Sequence, residues 1–231
     1  MTEKESFTAL ISLVFRNISE GLQKRYTYHS PTHVCMVYRD SSYLGSRLNI
    51  NDSDMRLLKT AAALHDYGFL TSHVDHEERS CQEAESLLPK YGYTPEEVDI
   101  VCGMIMATKI PQSPKTLLEK IICDADLFYL GSNYYFEIAS QFKQELTSLN
   151  LLKSEEHWKT IQIGFLENHK YHLPFSQQLL DETKAKNLLR SNGLKMRSLW
   201  EADTTYAEMN QVFEANPEAV GNLVKYFIGG V

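Results

Sequence analysis

Residues 60–68 read TAAALHDYG. The run of alanines and leucine has the composition of a buried helix, yet it finishes in His65 and Asp66. A buried carboxylate is costly unless a cation, a set of hydrogen bonds or a metal ion compensates it. The remainder of that constellation must lie elsewhere in the chain.

Outward from this segment the punctuation is helical, with apolar residues recurring at spacings of three and four. Thr94-Pro95-Glu96-Glu97 is a start signal with a mechanism: Thr94 caps, Pro95 suits the first turn and Glu97 bonds back to the cap residue. Ser113-Pro114 and Asn216-Pro217 repeat the cap-then-proline pattern. The pattern predicts helices near 5–24, 32–48, 54–67, 77–91, 95–108, 114–130, 131–149, 154–172, 175–190 and 205–229, the last with a break near Pro217. No alternating β-branched stretch bounded by hairpin turns competes, and no repeat of solenoid length is present. The expectation is an all-α helical bundle at 1–192, with additional C-terminal helices at 193–231 that either close the bundle as a layer or make an oligomer contact.

Composition narrows the function. The 231 residues are 43% hydrophobic, enough for one sizeable core. A net charge of -7 offers no general attraction to a nucleic-acid backbone, so a long nucleic acid is not an expected partner and a small phosphorylated molecule is. Cys35, Cys81, Cys102 and Cys123 form no CxxC pair and read as buried, reduced thiols. The N-terminal MTEKESFTALISLVF has only a short, interrupted apolar stretch and does not read as a signal peptide. No run of 18 apolar residues suggests a membrane span, so the expected location is the cytoplasm.

Two further segments bury groups that need a reason. In YHSPTHVCMVY (28–38), Pro31 fits a first helical turn, which sets His33 inside a helix and His29 just before it. In EKIICDADLFYLG (119–131), Asp124 and Asp126 interrupt an apolar helix; two positions apart, they face different sides, and one of them is expected at any given site. A lone histidine on an apolar helix is more often a satisfied core residue, and His65 alone could serve its helix's last carbonyls. Three helices each delivering such groups form a metal set instead. Imidazole with carboxylate suits a divalent ion, manganese, iron, cobalt or zinc, with magnesium less comfortable. The aromatic series Trp158, Phe165, His169 and Tyr171 reads as core before it reads as a platform for a nucleobase; were it to reach the pocket, its faces could stack on a base with Lys184 or Lys186 at a phosphate.

His33, the His65-Asp66 doublet and Asp126, with the flanks AAALHDYG and IICDADLFYLG, resemble the signature of the HD superfamily of metal-dependent phosphohydrolases. The resemblance covers about residues 25–130, and HEERSCQEAESL, MATKIP and FLENHKYH are similar to segments of uncharacterised bacterial members. It implies that His33, His65, Asp66 and Asp126 hold a divalent metal. YHSPTHV also resembles the YHNxxH segment of cyclic nucleotide phosphodiesterases, which implies that His29 protonates the leaving oxygen; Ser30 stands where that segment has Asn. Two-metal members carry further histidines here; the loop offers His73 and His76, but Thr108 and Lys109 stand where a histidine pair belongs, so a full second site is not expected and a diiron oxygenase is disfavoured. Lys109 is then a candidate to neutralise phosphoryl charge, and His76, Asp124 and Thr108 are candidates for substrate contact or for support of a ligand. The implied function is hydrolysis of a small phosphorylated substrate, a nucleotide mono- or diester by preference, using metal-activated water. A degenerate HD domain that binds a nucleotide without turnover is the alternative.

Overall fold

A computed structural model describes residues 2–193. Among them are nine α-helices and no strand: α1 (Glu3–Gly21), α2 (Pro31–Arg47), α3 (Asp52–Leu64), α4 (His76–Leu87), α5 (Pro95–Thr108), α6 (Leu117–Asp126), α7 (Tyr135–Ser148), α8 (Glu155–Asn168) and α9 (Pro174–Ser191). The chain is all-α, as the periodicity predicts. The expected helix at 205–229 and the extension to which it belongs lie outside the described residues.

Local chemistry sets the helix starts. Thr94 and Glu97 form the expected capping box on α5, and Ser30 accepts from the His33 N–H at the start of α2, with Pro31 in the first turn. The Ser113-Pro114 signal is not used. Thr116 with Glu119 forms a complete capping box three residues later, and α6 begins at Leu117. The expected helix at 114–130 therefore shortens to Leu117–Asp126 and is followed by a 3-10 turn, Phe128–Gly131. The expected helix at 154–172 ends at Asn168, where His169 turns to extended backbone. Likewise α3 stops at Leu64, so His65 and Asp66 sit on its exit, before a 3-10 turn at Tyr67–Leu70.

The three segments that raise the question of buried polar groups pack on one another. Helix α2 lies against both α3 and α6, and α3 also touches α6; α5 closes against α3 and α6 and carries α4 on its other side. Leu44, Leu58, Leu64, Ile105 and Ile121, fully buried, form the common core beneath the site. The exit of α3 is fixed to α4 by Ser80, whose hydroxyl accepts the Gly68 N–H at 2.8 Å and donates to the His65 carbonyl at 2.8 Å. At Gly68 the two backbones come so close that an added Cβ would stand 2.1 Å from the His76 carbonyl oxygen. Helix α9 seats on the Phe128–Gly131 turn through Asn187, whose amide donates to the carbonyls of Leu130 and Ser132.

Candidate metal centre

Four side chains from the three packed helices converge. His65 is fixed first: its Nδ1 meets the Ala62 carbonyl at 2.9 Å, so that nitrogen carries the proton and Nε2 presents a lone pair. His33 Nε2 stands 3.3 Å from His65 Nε2. Asp66 Oδ2 lies 3.3 Å from His33 Nε2 and 3.2 Å from His65 Nε2. Asp126 Oδ1 closes on the same two nitrogens at 3.2 and 3.7 Å.

A divalent ion fits these residues. Ligands about 2.1 Å from one ion are separated by roughly 3.0–3.4 Å when adjacent in octahedral or tetrahedral geometry, the spacing seen here for every pair above except His65 and Asp126, at 3.7 Å. The ligand atoms of His33, His65 and Asp66 all lie within 4.8 Å of one another. Asp66 Oδ2 is buried and completes no well-aligned hydrogen bond, the orphaned acceptor expected where a cation belongs. Two imidazoles with two carboxylates make a borderline donor set, suited to a transition ion.

Charge in the metal-free cluster is held by protons. Burial by itself would lower the His33 imidazole, but Asp126 and Asp66 outweigh it and push His33 up to about 10. The same contest raises His65, where Asp66 prevails over burial. Burial would raise the Asp66 carboxyl; the His65 and His29 rings, with the adjacent His33, hold it well below the usual carboxylate range.

Around these four side chains stand further polar groups. His29 Nδ1 meets Glu145 Oε1 at 2.5 Å, and Glu145 Oε2 accepts the backbone N–H groups of Tyr28 and His29 at 2.9 and 3.0 Å. Burial would raise this carboxyl, and the contacts with His29 bring it below its ordinary value. The His29 ring stacks on Phe69 with centroids 4.0 Å apart and stands 6.0 Å from the His33 ring. His76 Nε2 lies 3.5 Å from Asp66 Oδ1 and 3.3 Å from Glu77 Oε1, at the rim of the cluster. Thr108 bonds back to the Ile105 carbonyl, and Lys109 is paired with Glu78 and lies 3.5 Å from Asp75.

Asp124 is elsewhere. Its carboxylate accepts the N–H groups of His172 and Leu173 at 2.7 and 3.0 Å, just ahead of α9. It anchors the entry to that helix, neither supporting a ligand nor capping its own turn.

The cluster opens into a cavity of about 420 Å³ that is reached by His29, Asp66, His76, Thr108, Lys109 and Asp126. Its other wall is aromatic and apolar, with Phe142 from α7 and Trp158, Ile161 and Phe165 from α8. Trp158 belongs to the core and Phe165 packs against it, as expected, and both also line the cavity. Tyr171 does belong to the core, its hydroxyl donating to the Leu127 and Phe128 carbonyls. His169 lines a neighbouring cavity of about 430 Å³ that shares Ile161 and Phe165 with the first. Lys184 is bound to the His169 carbonyl at 2.8 Å and Lys186 to Glu182, and neither lines the main cavity. Glu77, Phe69, Phe142 and Glu145 escape a reading of local sequence, since only the fold brings them to the site.

Comparison with known proteins agrees with this geometry. Residues 32–129 match the family model described as "HD domain". No curated protein matches the chain. Among solved structures, Bacillus subtilis YpgQ, described in complex with ADP, superposes with a TM-score of 0.57 at 19% identity, over 84% of this chain and 95% of that one. Residues 32–129, with His33, His65, Asp66 and Asp126 all among them, are thus similar to the HD domain.

Proposed function

We propose that this protein is a metal-dependent phosphohydrolase acting on a small phosphorylated substrate of about nucleotide size. The observation that carries the reading is the convergence of His33, His65, Asp66 and Asp126 at 3.2–3.7 Å, with Asp66 Oδ2 left unbonded. A divalent ion held by these four residues supplies Lewis-acid chemistry, neutralising phosphoryl charge and making a water acidic enough to attack near neutral pH. YpgQ, which shares the fold, is described with ADP, and this supports a ligand of that size.

The chain's own residues account for the remainder of the reaction. Attack by water forms a new P–O bond as the ester P–O bond breaks, and the electron pair passes to the leaving oxygen. His29 donates a proton to that oxygen from Nε2, because Nδ1 is held by Glu145. Glu145, fastened by two backbone N–H groups, fixes the ring plane, and Phe69 stacks beneath it. His76, beside Asp66 on the cavity lining, takes up the proton of the attacking water. Lys109 reaches the cavity mouth as a cation partly offset by Glu78.

The test is phosphate release from a panel of phosphoesters with manganese, cobalt, magnesium, iron or zinc supplied. Turnover that needs the ion and disappears in Asp66→Ala supports the reading. Metal retained by the wild type without turnover of any ester points to a binding domain instead.

A further inference from the structure

The composition of the cavity goes further than its size. Among the described residues, Lys109 is the only lysine or arginine lining it, and that ammonium is already engaged by Glu78 with Asp75 nearby. The same cavity contains the carboxylates of Asp66, Glu77 and Asp126. One divalent ion offsets two of these charges and leaves little for a second or third phosphoryl group, which is ordinarily met by several cations or a helix N-terminus.

The apolar wall has a direction. Phe142 is in ring contact with His29, with centroids 6.4 Å apart, and with Trp158 in an edge-to-face arrangement at 6.2 Å. Aromatic surface therefore begins at the group that serves the leaving oxygen and continues onto α8 through Trp158 and Phe165. The lysine comes from another element, following Thr108 at the end of α5. A substrate seated with its phosphorus at the four ligands and its leaving oxygen at His29 thus places its leaving group, and not a further phosphate, on the rings. Gln162 also lines this cavity, and its amide offers a polar edge to the ring system.

We infer that the site takes an ester of a single phosphoryl group whose leaving alcohol carries a planar aromatic system lying on Phe142, Trp158 and Phe165, and that it disfavours di- and triphosphates. This rests on the phosphohydrolase reading above and names its substrate class. A nucleoside monophosphate or an aryl phosphate meets the description; a sugar phosphate and a nucleoside triphosphate do not.

The experiment separates binding from turnover. Calorimetry on the manganese-loaded full chain compares phenylphosphonate with methylphosphonate, neither of which can be hydrolysed as an ester, and adenosine monophosphate with adenosine diphosphate. Phenylphosphonate is expected to bind about tenfold or more tightly than methylphosphonate, the size of an aromatic contact plus its buried area. The monophosphate is expected to bind more tightly than the diphosphate. In Trp158→Ala the phenyl preference should fall to about threefold or less while methylphosphonate binding holds; Phe165→Ala repeats the test if the first variant folds poorly. A diphosphate that binds more tightly than its monophosphate, equal affinity for the two phosphonates, or no binding of any of the four overturns the inference. Binding in the expected order with no turnover of phenyl phosphate or adenosine monophosphate leaves the inference standing and defeats the hydrolase reading alone.

Discussion

At the scale of single residues, the account turns on protons and one hidden carboxylate. Without an ion His33 is pushed up to about 10, so at neutral pH a proton occupies the place the metal needs. Metal must expel that proton, and affinity should therefore rise with pH between about 7 and 10, by about tenfold per unit for one displaced proton. Titrating manganese into the metal-free protein at pH 7 and pH 8 checks this, and equal affinities would contradict it. Glu145→Gln should leave metal content unchanged and lower turnover by about 10- to 100-fold, with an altered acid limb in the pH–rate profile. Loss of bound metal in that variant would show that Glu145 supports the cluster and not His29. The convergence of His33, His65 and Asp66 with one of Asp124 and Asp126 is legible because each interrupts an apolar run with a group that cannot be buried alone; the choice of Asp126 rests on the HD resemblance. Glu145 is not legible: it sits 116 residues from His29, and in KQELTSL it reads as one more helix-face acid.

At the scale of elements, the exit of α3 is held by chemistry that can be removed one piece at a time. Ser80→Ala deletes both the acceptor of the Gly68 N–H and the donor to the His65 carbonyl, leaving two buried backbone groups short of a partner. The expected cost is about 1–3 kcal/mol, read as a lower denaturant midpoint, with weaker metal binding as His65 and Asp66 loosen. Gly68→Ala should act in the same direction more strongly, because its Cβ would meet backbone and not a flexible side chain. Unchanged stability in both variants would mean that this turn does not depend on α4. Starts with a capping box, such as Thr94 with Glu97, could be read from sequence because the whole device is local. The start of α6 was misplaced because two local devices compete there, and the box at Thr116 and Glu119 prevails over the proline at 114. Helix ends followed by 3-10 turns were overrun because apolar spacing continues through the turns, as in LFYLG after Asp126.

At the scale of the molecule, the all-α architecture follows from periodicity, whereas the cavity does not: its α7 and α8 walls come from residues that look like core in sequence and both pack on the core and line the cavity. No helix among the described residues is long and apolar enough to cross a membrane. Global stability should carry the mark of His169, which burial and the nearby Lys184 push down to about 3. Between its ordinary value near 6.5 and about 3, the unfolded chain binds a proton that the folded protein refuses. Stability is therefore fully present above about 6.5 and is lost as pH falls through that window. Urea midpoints at pH 7.5 and 5.0 should differ less in His169→Gln than in the wild type, and an identical acid loss would assign it to other groups. The central claim, a divalent ion on His33, His65, Asp66 and Asp126 driving phosphoester hydrolysis, is tested most directly by measuring bound metal and phosphate release together in the wild type and in Asp66→Ala. One ion per chain with metal-dependent turnover is expected in the wild type, and loss of both in a variant that keeps its helix content; turnover that persists in Asp66→Ala, or a wild type that binds no ion, would rule out this site as the source of hydrolysis.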